Sequence, residues 1–248
     1  MTFAWTAVAV AALILATFAV ALRRRRFDTI DSAWGLGFAL VAAVTLAREG
    51  GVPTAVLTLV WGLRLAAHIT WRNRRGGEDP RYARMRQEPG RIFVRVYLTQ
   101  GVVLWVVSLP VQVAPHGSPP LWLTCLGVGV WLVGFVFEAV GDFQLQRFRA
   151  DPASGGRVLD TGLWRYTRHP NYFGDACAWW GLYLLACHSW PAAATIVSPL
   201  IMTALLARGT GKPMLERDLV TRRPGYADYV RRTSGFLPLP PKRGPGTV

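Results

Sequence analysis

Acidic residues are scarce in this chain: 14 Asp and Glu stand against 28 Lys and Arg, and charged residues fill only 17% of 248 positions. A soluble domain normally carries about 25% charge, so a large water-facing surface is excluded. Cysteine is scarcer still. Cys125, Cys177 and Cys187 form no Cys-x-x-Cys pair, which leaves neither a disulfide framework nor a thiolate metal site. The four histidines, His68, His116, His169 and His188, show no metal-ligand spacing, so no metal is expected. Internal repeats and low-complexity segments are missing as well. The first apolar block has no basic stretch ahead of it, since Arg23–Arg26 follow it. It is therefore expected to stay as an anchor rather than be cleaved as a signal peptide.

What abounds is apolar surface. Hydrophobic residues make up 52% of the chain, eleven of them tryptophan, and mean hydropathy is +0.26. The apolar blocks run over Thr2–Leu22, Ile30–Ala47, Val52–Thr70, Ile92–Val113, Leu121–Val140, Phe173–His188 and Pro191–Ala207. Most reach the ~17–25 residues that a helix needs to cross hydrocarbon. The shorter Phe173–His188 fits if the helix tilts or the bilayer thins. The expected fold is thus all-α, a multi-pass transmembrane bundle of about seven spans, with six the alternative. One membrane domain, 1–248, is expected, ending in a Pro/Gly-rich disordered tail from Pro238 to Val248.

The net charge of +14 invites a nucleic-acid partner, but its distribution argues otherwise. With the N-terminus outside, the basic residues of Arg23–Arg26, Arg72–Arg91, Arg147–Arg168 and Arg208–Arg243 all fall on one side. The other side receives Arg48 and little else. This is the positive-inside asymmetry, and it puts the C-terminus in the cytoplasm. No nucleic acid is expected as a partner, and no protein partner is readable. The bilayer itself is the expected partner, through anionic lipid.

Against this apolar background one run stands out: Gly162-Leu-Trp-Arg-Tyr-Thr-Arg-His169-Pro-Asn171-Tyr172-Phe-Gly-Asp175. Polar groups at the mouth of a span are costly to keep unless they hold something. Pro170 discourages helix at His169 and sets Asn171 near a helix start, where free backbone N–H groups favour an anion. Arg149, Arg157, Arg165 and Arg168 supply guanidinium groups suited to bidentate phosphate contacts, although basic clusters also serve topology alone. Upstream, Glu138, Asp142, Leu145 and Arg149 fall on one helical stripe. Two carboxylates and an arginine there suit ribose hydroxyls and a phosphate. The same stripe is also what a helix leaving the membrane presents to water.

Three more groups lie in the front half. Asp28 and Asp31 stand at the cytosolic start of the second span. Arg64 and His68 are i, i+4 partners inside the third span, where ionisable residues mark function or a structural ion pair. The polar loop from Gly76 to Tyr82 either caps a pocket or merely connects two spans. Gly127, Gly129 and Gly134 lack a preceding strand, so they read as close helix packing rather than a dinucleotide turn.

The polar run resembles the signature of the steroid 5-alpha-reductase-like membrane proteins, including bacterial members of unassigned substrate. The resemblance is strongest from Glu138 to Pro238. It implies a seven-helix bundle in a bacterial inner membrane that takes NADPH from the cytosol and reduces an activated C=C bond. The substrate it implies is a lipophilic small molecule, steroid-like or isoprenoid. Matched by motif, the cofactor-binding positions are Asp142, Arg149, Arg157, Asn171 and Asp175, with Arg168, His169 and Tyr172 beside them. Asp175 is a methylene shorter than the glutamate common in the family, and Glu138 stands where the steroid enzymes carry asparagine. Those enzymes use a glutamate and a tyrosine from the front half for catalysis. In this chain Asp31 and His68, with Arg64, are the expected substitutes. The run is also similar to the Arg-His-Pro-x-Tyr motif of isoprenylcysteine carboxyl methyltransferases, as is Arg223–Pro238 to their C-terminal region. That similarity makes S-adenosylmethionine the alternative cofactor.

Overall fold

The computed structural model describes residues 1–75, 78, 82, 87–209, 216, 219 and 223–242. Helix α1 (Thr2–Arg24) is an apolar run closed by Arg23 and Arg24, whose cations suit the negative helix end, and by Arg25 in the left-handed conformation at φ 51°. α2 (Thr29–Glu49) and α3 (Val52–Arg75) follow. α4 (Pro89–Val107) opens with Pro89 in its first turn, where the missing N–H costs nothing. Its middle, Phe93–Leu98, is π-helical. After the short α5 (Leu109–Val113) come α6 (Leu121–Ala150), α7 (Pro170–Ala186), α8 (Trp190–Ala207) and α9 (Tyr226–Arg232).

Among the described residues, α1, α2, α3, α4, α6 and α8 are long and apolar enough to cross a membrane. Apolar side chains such as Val8, Leu15, Val102, Leu132 and Val136 stand exposed along them, as lipid-facing positions should. The expected sixth span corresponds to α7, whose 17 residues start at Pro170, three residues earlier than the apolar pattern. The expected block Ile92–Val113 is interrupted at Ser108, where α4 ends and α5 begins. No strand occurs among the described residues, only an isolated bridge between Thr167 and Ser234. The protein is an all-α, multi-pass membrane protein.

The chain divides into two units interleaved in sequence: Met1–Thr124 with Leu182–Ser198, and Cys125–Gly181 with Pro199–Val248. In the first, α2 and α3 approach so closely that a Cβ on Gly35 would sit 2.5 Å from the Gly62 carbonyl oxygen. A buried polar network ties α1 to α4 and α5. Trp105 Nε1 donates to Thr6 Oγ1 at 3.1 Å, Thr6 donates to Gln112 Oε1, and Gln112 Nε2 donates to Ser108 Oγ at 2.9 Å. Each buried donor thus finds an acceptor.

In the second unit α6 and α7 cross backbone to backbone. A Cβ on Gly134 would lie 2.5 Å from Ala178 N, and one on Gly174 would lie 2.5 Å from the Gly134 carbonyl oxygen. The close packing expected of the α6 glycines therefore falls on Gly134 and on Gly127, whose carbonyl oxygen would lie 2.6 Å from a Cβ on Gly181, whereas Gly129 faces open space. The C-terminal segment is stitched to the polar run: Arg168 N donates to the Ser234 carbonyl at 2.9 Å and Leu239 N to the Tyr166 carbonyl at 3.0 Å. Lys242 N donates to the Arg232 carbonyl at 2.8 Å. The order expected to end at Pro238 thus continues to Lys242, because these backbone bonds hold the chain. Residues 243–248 of the tail, and Gly76, Gly77, Asp79, Pro80 and Arg81 of the polar loop, lie outside the described residues.

Candidate cofactor and acceptor sites

The polar run owes its shape to α6. Gly162–Arg165 form a 3-10 turn, anchored by Leu163 N donating to Gln144 Oε1 at 3.0 Å and Trp164 Nε1 to the Gly141 carbonyl at 3.1 Å. Tyr229 Oη donates to the Trp164 carbonyl from the C-terminal side. The chain then extends through Thr167, whose Oγ1 donates to the Phe236 carbonyl at 2.9 Å. It enters α7 at Pro170, the position where proline is best tolerated.

This geometry joins the carboxylates of α6 to the first turn of α7. Asn171 Nδ2 donates to Asp142 Oδ1 at 3.1 Å, while Asn171 Oδ1 accepts the Tyr172 N–H at 3.1 Å. Asp142 is 8% exposed, Glu138 2% and Asp175 8%. Glu138 and Asp142 are one turn apart on α6, and Asn171 and Asp175 one turn apart on α7. Asp142 and Asn171 therefore meet where the glycines let the backbones approach. Carboxylates and an amide so placed can accept from, and donate to, ribose hydroxyls or a carboxamide.

The expected cations divide. Arg149 and Arg157 are exposed residues. Arg168 is buried and largely spent inside the protein. Its Nε and Nη2 donate to the two oxygens of Glu216 at 2.8 and 3.2 Å, and its Nη1 donates to the carbonyls of Val230 (3.1 Å) and Thr233. His169, 4% exposed, sets Nε2 2.9 Å from the same Glu216 oxygen. Its ring lies flat on Tyr172, centroids 5.1 Å apart and planes within 7°. Burial alone would raise the Glu216 pKa, but hydrogen bonds from His169 and Arg168, with their charges, hold it down at about 2. Nearby, burial pushes Tyr226 up to about 12 and Tyr229 higher still.

In the other unit the sites gather at the N-terminal end of α2. Arg26 makes a two-pronged contact with the buried Asp28, Nη2 to Oδ2 at 2.7 Å, and this bond raises the Arg26 pKa. Phe27 N donates to Glu78 Oε1 at 2.7 Å. Tyr97 Oη donates to the Phe27 carbonyl at 3.0 Å and meets Thr29 Oγ1 at the same distance. Asp31 Oδ1 accepts the phenol proton of Tyr82 at 2.8 Å, and Tyr82 is 5% exposed. Arg64 and His68 are half-buried along α3.

Sequence reasoning missed Tyr82 and Glu216. Tyr82 was treated as part of a loop, and its pairing with Asp31 spans 51 positions. Glu216 carried a signal: with Asp218, it is one of two carboxylates between Asp175 and Asp228, set in a basic stretch. A buried guanidinium needs such a counter-ion.

The fold and these clusters define a multi-pass helical membrane protein with polar side chains assembled at helix ends. The chain belongs to the family described as "Protein of unknown function (DUF1295)", whose model matches residues 17–233. It is a member of the steroid 5-alpha-reductase-like group. It is 32% identical over 89 residues to 3-oxo-5-alpha-steroid 4-dehydrogenase 1 of Rattus norvegicus, covering 36% of this chain and 32% of that protein. The human protein of the same name is 34% identical over 77 residues, 29% of each chain. An uncharacterized protein of Schizosaccharomyces pombe, C594.04c, is 25% identical over 181 residues, 61% of this chain and 51% of that one. The matched segment thus spans about a third of the length of the mammalian relatives. No solved structure matches.

Proposed function

We propose that this protein is an integral membrane reductase that uses NADPH to saturate a C=C bond conjugated to a carbonyl in a lipophilic acceptor, steroid-like or isoprenoid. The observation that carries the reading is the 2.8 Å hydrogen bond from the buried Tyr82 to the half-buried Asp31, a phenol beside a carboxylate and suited to a carbonyl oxygen. The printed names of the mammalian relatives, oxidoreductases of 3-oxo steroids, agree with that chemistry.

The donor set of the back unit fits NADPH. Asp142, Asn171 and Asp175 suit the hydroxyls and the carboxamide, and exposed Arg149 and Arg157 suit the phosphates. Arg168 belongs to the frame of that site, since its donors are taken by Glu216 and two carbonyls. Bound NADPH would supply the hydride for the β-carbon of the acceptor, and a proton from water would complete the saturation at the α-carbon. Tyr82, released from Asp31, would have a single proton to offer a carbonyl oxygen, where negative charge would develop. Arg64 and His68, half-buried on α3, supply further positive character for that oxygen.

Purified protein in lipid nanodiscs, given NADPH and a 3-oxo steroid with a conjugated double bond, should yield a product heavier by two hydrogens. Deuterium placed on the nicotinamide should appear at the β-carbon. Titration with S-adenosylmethionine provides the competing arm: methyl transfer, with no NADPH binding, would replace this reading by a methyltransferase.

A further inference from the structure

Glu216 comes from the stretch ahead of α9, 47 and 48 residues from His169 and Arg168. Both of its oxygens are used: Oε1 by Arg168 Nε and His169 Nε2, Oε2 by Arg168 Nη2. A plain counter-ion for Arg168 needs only the arginine contacts. The second contact reaches the imidazole, which is itself stacked on Tyr172, and the Tyr172 N–H is in turn bonded to Asn171 Oδ1. A carboxylate facing Nε2 keeps the proton there and stabilises the imidazolium, so Nδ1 becomes the ring atom whose state is set by Glu216. Among the described residues, Glu216 and the stacked Tyr172 on α7 face the ring, Arg168 shares Glu216 with it, and Tyr226 on α9 lies in the field of Glu216 and Arg168.

We propose that Glu216 is a positioning residue for the cofactor site: it fixes the tautomer and plane of His169, and through the stacked ring it fixes Tyr172 beside Asn171. This rests on the NADPH reading above, because Asn171 is one of the residues assigned there to the hydroxyls and the carboxamide. Glu216 itself touches neither cofactor nor acceptor.

The test pairs Glu216→Gln with Glu216→Asp and reads three quantities in nanodiscs: thermal melting, the His169 imidazole titration by nitrogen-resolved NMR, and the NADPH Kd by calorimetry. The His169 signal is assigned by its loss in His169→Gln. Glu216→Gln keeps one of the two accepting oxygens but removes the charge, and the His169 midpoint should fall by about one pH unit or more. Glu216→Asp keeps a charge for Arg168 while drawing the oxygen back from His169. It should melt close to wild type, lower the His169 midpoint and weaken NADPH about tenfold. If Glu216→Gln fails to fold, Glu216→Asp alone decides. A His169 midpoint and an NADPH Kd that both stay at wild-type values in a folded variant reduce Glu216 to a counter-ion and overturn the proposal. A wild-type protein that binds no NADPH sinks the reductase reading instead, while the NMR comparison still decides whether Glu216 governs His169.

Discussion

Tyr82 gives its phenol proton to Asp31 at 2.8 Å, joining the start of α2 to a residue 51 positions later in a pair that is nearly closed to water on the tyrosine side. Deleting only the hydroxyl separates chemistry from binding. Tyr82→Phe should lower kcat by about 10²–10³, the usual cost of losing one donor at a developing oxyanion. Its NADPH Kd should stay at the wild-type value. Stopped-flow turnover and calorimetry on the same preparation check both halves, and full activity would remove Tyr82 from the mechanism.

The Asn171–Asp142 hydrogen bond makes a double-mutant test available. Asn171→Ala and Asp142→Ala should each weaken NADPH about tenfold or more. Because the two side chains share one bond, their effects should fall short of adding, with a coupling of about 0.5–3 kcal/mol. Strict additivity would mean that the two act at separate places.

Helix packing gives a prediction free of any functional reading. Gly174 has no room for a methyl group, with Gly134 O and Glu138 N and Cβ lying under 3 Å from an added Cβ, whereas Gly129 meets nothing within 4 Å. Gly174→Ala should destabilise the fold by about 1–3 kcal/mol through overpacking. Gly129→Ala should be neutral or slightly stabilising, since alanine favours helix. Thermal melts of the two variants decide the matter.

Acid and alkaline limits follow from the groups around α9. Glu216 is held at about 2, below its ordinary 4.5. Its contribution is therefore fully present above 4.5 and is lost as pH falls from there towards 2. The melting gap between wild type and Glu216→Gln should close as pH falls from 4.5 towards 2. Tyr229 lies on the opposite side. Its pKa is raised by burial, so its contribution is intact below pH 10 and lost as pH climbs past that value. Tyr229→Phe should melt with a shallower alkaline fall than wild type.

The bundle was legible because composition and run length are local. Blocks such as Val52–Thr70 and Leu121–Val140 declare themselves by apolarity alone, and α3 overruns its block by five residues and α6 by ten, each at the C-terminal end. Pro170 likewise announced where α7 begins. Local signals also grouped Asp142 with Asn171 and Asp175, since each sits on a helix turn next to the polar run. Arg168 misled because a guanidinium looks the same whether it binds a ligand or a carboxylate of its own chain. Only tertiary structure reveals Glu216 beneath it. Tyr82 was hidden for a related reason: a tyrosine between two spans has no periodicity, and its meaning comes from Asp31 half a hundred residues away.

The most direct measurement is calorimetric titration of NADPH into the purified protein in nanodiscs, beside Arg149→Ala. The account predicts saturable binding by wild type, weakened about tenfold or more in the variant, and no heat from S-adenosylmethionine. Equal NADPH affinity in both proteins, or saturable binding of S-adenosylmethionine alone, would contradict it.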